Sequence, residues 1–175
     1  MNKTENYYLI TGSSSGLGEA LSKQLKQSGF KTLGIDKTAG IHTDINIDLS
    51  NISNENILEI KNSLNSKKID SIVHCAAVQK NSSSDIDDIS ATFDEVFSVN
   101  VKSIYLLVKT LENEFTDFSK LCLVSSVHAK ATTENNTLYA SSKSAIQGLV
   151  NGLTTEKNEK MSIFELILVQ WILQC

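Results

Sequence analysis

The sequence predicts an α/β protein built on a doubly wound parallel sheet with helices on both faces. Three observations predict it. Short apolar runs of strand length alternate with helical stretches along the chain. The runs are near-continuously apolar, as strands covered on both faces are. The first run ends in a glycine-rich turn that opens a helix.

The elements follow in order. Residues 7–11 (Tyr-Tyr-Leu-Ile-Thr) are a strand-length run ending at Gly12. Over 17–28, Leu17, Leu21 and Leu25 recur every four residues on one helix face, and Gly29 stops that helix. Residues 31–36 read as a second strand. Residues 41–49 alternate, with Ile41, Ile45, Ile47 and Leu49 apolar, and predict a third. Ile57, Leu58, Ile60 and Leu64 sit at helical spacing within 54–65. Residues 71–77 form a buried-strand run, and 93–115 a long helical pattern of one helix or two joined. Residues 121–125 are a strand, 137–157 a helix and 162–169 a sixth strand. Ser82-Ser83-Ser84 is the nearest approach to a loop tract, so 1–175 reads as one domain. Ligands in such sheets bind outside the carboxyl ends of the strands, here near Thr11, Asp36, Ala76 and Ser125.

Composition narrows the function. The chain has 175 residues, long enough for a core, with 41% apolar and 21% charged residues. A net charge of -4 argues against nucleic acid and anionic membranes as partners. No apolar run approaches the roughly 18 residues that span a bilayer. The polar first five residues and the short apolar run at 7–10 lack a signal-peptide core, so the expected location is the cytoplasm. Cys75, Cys122 and Cys175 are too scattered for a disulfide framework or a metal cluster. There is no proline, and all 16 basic residues are lysine, usage that points to an AT-rich coding sequence.

Thr11-Gly12-Ser13-Ser14-Ser15-Gly16-Leu17-Gly18 joins the first strand to the first helix. Glycines let such a backbone turn approach a phosphate, which a helix N-terminus favours. Alone, the turn is equally a tight bend with close helix packing. Asp36 ends the second strand, 24 residues after Gly12. A carboxylate there accepts from ribose hydroxyls and repels a 2′-phosphate, which favours NAD over NADP. Lys37 could answer a 2′-phosphate and keeps NADP open; a solvated loop carboxylate is the bland reading of Asp36. Tyr139 and Lys143 lie one helical turn apart on one face. Ser126 ends a strand 13 residues before Tyr139, and Asn100 is a polar residue among apolar neighbours.

Taken together, these residues resemble the short-chain dehydrogenases/reductases, from about residue 8 to about residue 168. The resemblance rests on Thr11-Gly-x-x-x-Gly16-x-Gly18, Asp48-Leu49, Asn100, Ser126 and Tyr139-x-x-x-Lys143, in order. The three-residue gap between the first two glycines is unlike the sugar-nucleotide epimerases. The resemblance implies a Rossmann fold and NAD(P)-dependent hydride transfer between nicotinamide and a carbonyl or alcohol substrate. It implies Tyr139 as general acid/base, with Lys143 as the positive neighbour that favours the phenolate and holds the cofactor ribose. Ser126 would bond the substrate oxygen and Asn100 would anchor a proton-relay water. Implied cofactor contacts are Gly12, Ser14, Gly16, Leu17, Gly18, Asp36, Asp48, Leu49 and Ala76, with Tyr139 and Lys143; Asp48 and Leu49 would lie by the adenine. No metal is implied. His128 lines the substrate pocket or is an exposed loop histidine. A homodimer through two long helices, over 100–115 and 137–157, is also implied.

Two departures from the family stand out. Where it often has Asn-Asn-Ala-Gly after the fourth strand, this chain has His74-Cys75-Ala76-Ala77, with Cys75 read as a packed thiol. After the sixth strand it lacks the family's Pro-Gly segment, substrate lid and seventh strand, leaving an apolar edge. The tail Val169-Gln-Trp-Ile-Leu-Gln-Cys175 is unlike what precedes it. Read one base earlier, its codons permit Gly-Ala-Val-Asp-Thr-Ala-Met, with only the Asp forced. The expectation is therefore a truncated, frameshifted relative of a full-length enzyme, its alternative role a catalytically impaired dinucleotide-binding remnant.

Overall fold

Six parallel strands, β1 (Tyr7–Thr11), β2 (Lys31–Asp36), β3 (Ile45–Asn46), β4 (Ile69–His74), β5 (Phe115–Ser126) and β6 (Met161–Leu168), form one sheet. Their order is β3-β2-β1-β4-β5-β6. The computed structural model describes residues 5–81, 84–157 and 161–168. Five helices accompany the sheet among them: α1 (Gly16–Gln27), α2 (Asn54–Ser63), α3 (Ile86–Phe97), α4 (Ser103–Thr110) and α5 (Thr137–Lys157). Strand order climbs outward from β1 on one side (β1-β2-β3) and from β4 on the other (β4-β5-β6), so the crevice above β1 and β4 is the topological switch point. Leu9, Ile10, Ile35 and Leu121 are completely buried between the helical layers. Apolar side chains fully removed from water in this way contribute about 1.5–3 kcal/mol each.

The first two strands and α5 lie where the sequence places them. The third strand is much shorter than its alternating pattern, and Ile41 is 89% exposed. The connection over 37–44 turns back on β2 instead: Asp44 N–H donates to the Gly34 carbonyl at 2.8 Å, and Gly34 N–H donates to Asp44 Oδ2 at 2.7 Å. Only Ile45 and Asn46 then reach the sheet, while Ile47 and Leu49 are buried beyond it. On α1 the buried residues are Gly18 and Ser22, and Leu17 is exposed rather than part of a leucine face.

The pattern over 93–115 is not a single helix. The helix starts earlier, at Ile86, where the Asp85 carboxylate accepts from the Asp87 and Asp88 N–H groups. A π-helical turn, Ser98–Lys102, separates α3 from α4. Phe115 opens β5, six residues before the apolar run at 121, because Ile69 already pairs with it across β4. β4 spans Ile69–His74 rather than 71–77; past His74 the Ala76 N–H bonds the Thr11 side chain instead of a ladder partner. Val169, the tail to Cys175, the polar first four residues, and Ser82 and Ser83 lie outside the described residues.

Candidate active site

A cleft of about 350 Å³ opens at the carboxyl ends of β1, β2 and β4. Its walls include Gly12, Ser14, Gly16, Leu17, Gly18, Asp36, Asp48, Leu49 and Ala76, all expected as cofactor contacts. It also takes in residues the sequence did not single out for binding, among them Cys75, Val78 and Val99.

The glycine turn is shaped by close approaches. Gly12 has φ +72°, and a Cβ there would lie 2.7 Å from the Ala76 nitrogen. A Cβ on Gly18 would lie 2.1 Å from the Gly12 carbonyl oxygen, so no side chain fits where α1 leaves the turn. Gly16 faces open space. The Asp36 carboxylate ties the end of β2 to this turn. Its Oδ2 accepts the Ser14 N–H at 3.1 Å and its Oδ1 the Thr38 N–H at 2.9 Å. A carboxylate offers about four lone-pair sites, so Asp36 retains acceptor capacity toward the cleft. Asp48 accepts the Ser50 N–H at 2.9 Å, and bonds from Ser50 hold its carboxyl below the ordinary value.

Beyond the Val78 and Val99 end of the cleft lie the four residues expected to act on substrate; none of them lines it. Asn100 is fully buried on the π-helical turn. Its Oδ1 accepts the Val78 N–H at 2.7 Å, while its Nδ2 donates to the Val78 carbonyl and to Ser142 Oγ, both at 2.9 Å. Ser142 Oγ donates to the Tyr139 carbonyl at 2.7 Å, so hydrogen bonds run from Asn100 into the first turn of α5. Asn100 thus fixes the loop after β4 against α5, a role the sequence did not reveal.

Lys143 is only 2% exposed, and its Nζ donates to the Val124 carbonyl at 2.8 Å. The same Nζ lies 5.6 Å from the centre of the half-buried Tyr139 ring. Burial pulls the ammonium down to about 8, against the opposing influence of Cys75 and Glu165. Ser126 is buried at the end of β5, and its Oγ accepts the His128 N–H at 3.2 Å, leaving its hydroxyl hydrogen to donate. His128 is half-buried with its ring edge-on to Tyr139, 5.9 Å between centres. Burial pushes the Cys75 thiol up to about 12, which suits an inert packed side chain and not a nucleophile. Among the described residues there is no cluster of metal-ligating groups, and no helix is long and apolar enough to cross a membrane.

This order of strands, with a glycine turn at the switch point, defines a Rossmann-type α/β protein. The short chain dehydrogenase family model matches residues 37–164, and the chain belongs to that family. It is 26% identical over 158 residues to the uncharacterized short-chain type dehydrogenase/reductase y4eK of Sinorhizobium fredii, covering 83% of this chain and 61% of that protein. An oxidoreductase of the same family from Brucella ovis, in complex with a partially ordered NAD, superposes with a TM-score of 0.81 at 21% identity, over 94% of this chain and 83% of that one. A Shigella flexneri short chain dehydrogenase complexed with NADP gives 0.80 at 17% identity, over 95% and 78%. The two structures share the fold.

Proposed function

We propose that this protein is an NAD(P)-dependent oxidoreductase that interconverts a carbonyl and an alcohol, with NAD preferred. The observation that carries the reading is that Val78, in the wall of the glycine-turn cleft, is bonded to Asn100, which is linked through Ser142 to the Tyr139 carbonyl. The cleft suits a dinucleotide: its volume falls in the usual ligand range of roughly 300–1,000 Å³, and its turn offers backbone N–H groups at a helix N-terminus. Gly12, Ser14, Gly16, Leu17 and Gly18 would hold the pyrophosphate, Asp36 the adenosine ribose, Asp48 and Leu49 the adenine, and Ala76 the inner wall. When bound, nicotinamide supplies or accepts a hydride. Ser126 donates to the substrate oxygen, and Tyr139 gives it a proton or removes one. Lys143 keeps two N–H donors beyond its bond to Val124, and these serve the nicotinamide-side ribose. Asn100 holds the Val78 backbone and the first turn of α5 in place around them.

The NAD preference is tested by calorimetric titration of the purified chain with NADH and NADPH. NADH is expected to bind at least tenfold tighter. Asp36→Ala should lower NADH affinity by about tenfold or more, the loss expected for hydrogen bonds to a charged acceptor. Equal affinity for the two dinucleotides overturns the preference.

A second reading, dinucleotide binding without turnover, is favoured by the cleft lining, which includes none of Asn100, Ser126, Tyr139 and Lys143. NADH binding with no oxidation by any member of a carbonyl panel would support it. We also propose a homodimer through α4 and α5. Gly148 and Gly152 leave open space on one face of α5, and Tyr105 of α4 is 44% exposed. Sedimentation velocity should show a species of two chains, and a single-chain species at micromolar concentration removes the dimer.

A further inference from the structure

His74 ends β4 with 1% exposure, in a place where the family often carries asparagine. Its ring reaches two parts of the site that the chain itself keeps apart. Nδ1 lies 2.9 Å from Thr11 Oγ1, and Nε2 lies 3.3 Å from the Val99 carbonyl oxygen. A carbonyl oxygen only accepts, so Nε2 carries the proton and Nδ1 accepts from the Thr11 hydroxyl. Thr11 Oγ1 in turn accepts the Ala76 N–H at 3.2 Å. Hydrogen bonds thus run in one direction from Ala76 through Thr11 and His74 to Val99. One end is the residue before Gly12 and the cleft wall at Ala76. The other is the π-helical turn that carries Asn100. The Val99 carbonyl also accepts from Ser103 Oγ at 2.6 Å.

We propose that His74, as the Nε2–H tautomer, is a positioning residue that locks the glycine turn to the Asn100 turn. The inference rests on the oxidoreductase reading of the cleft. Its chemistry follows from reach. An asparagine amide ends where Nδ1 does, one atom short of Nε2, so it can serve Thr11 but not Val99. The imidazole serves both. Burial, with the Lys143 ammonium nearby, drives the ring down to about 3. The ring is therefore neutral at neutral pH, as the one-donor, one-acceptor arrangement requires.

The test uses the full chain, His74→Asn and His74→Leu. Long-range ¹⁵N correlation spectra of the wild-type ring should show protonated Nε2 and unprotonated Nδ1. Amide exchange should rise roughly tenfold at Val78, the N–H held by Asn100, in both variants. At Ala76 it should rise only in His74→Leu, because asparagine still serves Thr11. NADH affinity should fall roughly tenfold in His74→Leu, which strands the buried Thr11 hydroxyl, and stay within about threefold of wild type in His74→Asn. A protonated Nδ1, or Val78 exchange unchanged in His74→Asn, overturns the proposal. If His74→Leu does not fold, the tautomer and the His74→Asn exchange pattern decide alone. If the wild type binds no NADH, the oxidoreductase reading fails instead, and the tautomer and exchange results still judge the lock.

Discussion

Tyr139→Phe should reduce carbonyl-dependent NADH oxidation by about 10²–10⁴-fold, the range for loss of a positioned general acid. NADH affinity should stay within about twofold of wild type. The substitution removes one oxygen and keeps the ring. That ring meets the His128 ring at 5.9 Å and the Lys143 ammonium at 5.6 Å from its centre, contacts phenylalanine retains. The carbonyl of residue 139 still accepts from Ser142, so the Asn100 connection is untouched. A loss of turnover without loss of binding or fold therefore reports the proton transfer itself. Stopped-flow NADH oxidation with the best substrate of a carbonyl panel makes the measurement. Undiminished turnover in Tyr139→Phe would remove Tyr139 from the mechanism.

Much of this site was legible because its parts are local. The glycine turn, Asp36 and the Tyr139–Lys143 pair each sit at one strand end or on one helical turn, so spacing gives their places in the fold, while their roles come from the resemblance. β2 and α5 were legible for the same reason: the first is an uninterrupted run bounded at both ends, the second a 21-residue helical pattern. Tertiary bonds overrode pattern elsewhere. Ile41 alternates correctly for a strand, yet the Gly34–Asp44 clamp keeps it out of the sheet. Leu17 keeps helical spacing with Leu21 and Leu25, yet the small Gly18 and Ser22 face inward and Leu17 lines the cleft. The His74 bridge could not be read at all. It needs Thr11 opposite His74 in the β1–β4 register and a π-helical turn that brings Val99 within reach. No periodicity encodes either.

Lys143→Met should make the unliganded protein more stable at neutral pH while abolishing efficient turnover. The Lys143 ammonium is nearly inaccessible, and burial lowers it from 10.5 to about 8. Between those values the unfolded chain binds more protons than the folded one, so this group makes stability rise as pH climbs from about 8 to about 10.5. Below pH 8 its full cost is present, about 3 kcal/mol at 1.36 kcal/mol per unit. The opposing effects of Cys75 and Glu165 are already contained in that value, and His74 is neutral across the window. Methionine is unbranched and of similar length, fills the same space and carries no charge to desolvate. Urea unfolding should therefore place Lys143→Met about 2 kcal/mol above wild type at pH 7, the lost bond from Nζ to the Val124 carbonyl taking back about 1 kcal/mol. The gap should close toward pH 10.5; other titrating groups are common to both proteins and cancel. A constant difference from pH 7 to 10.5 would show that the lysine is not held charged at a cost. A gap that closes identifies a residue kept for what its charge does to Tyr139 and to a bound ribose, at the expense of the fold that holds it.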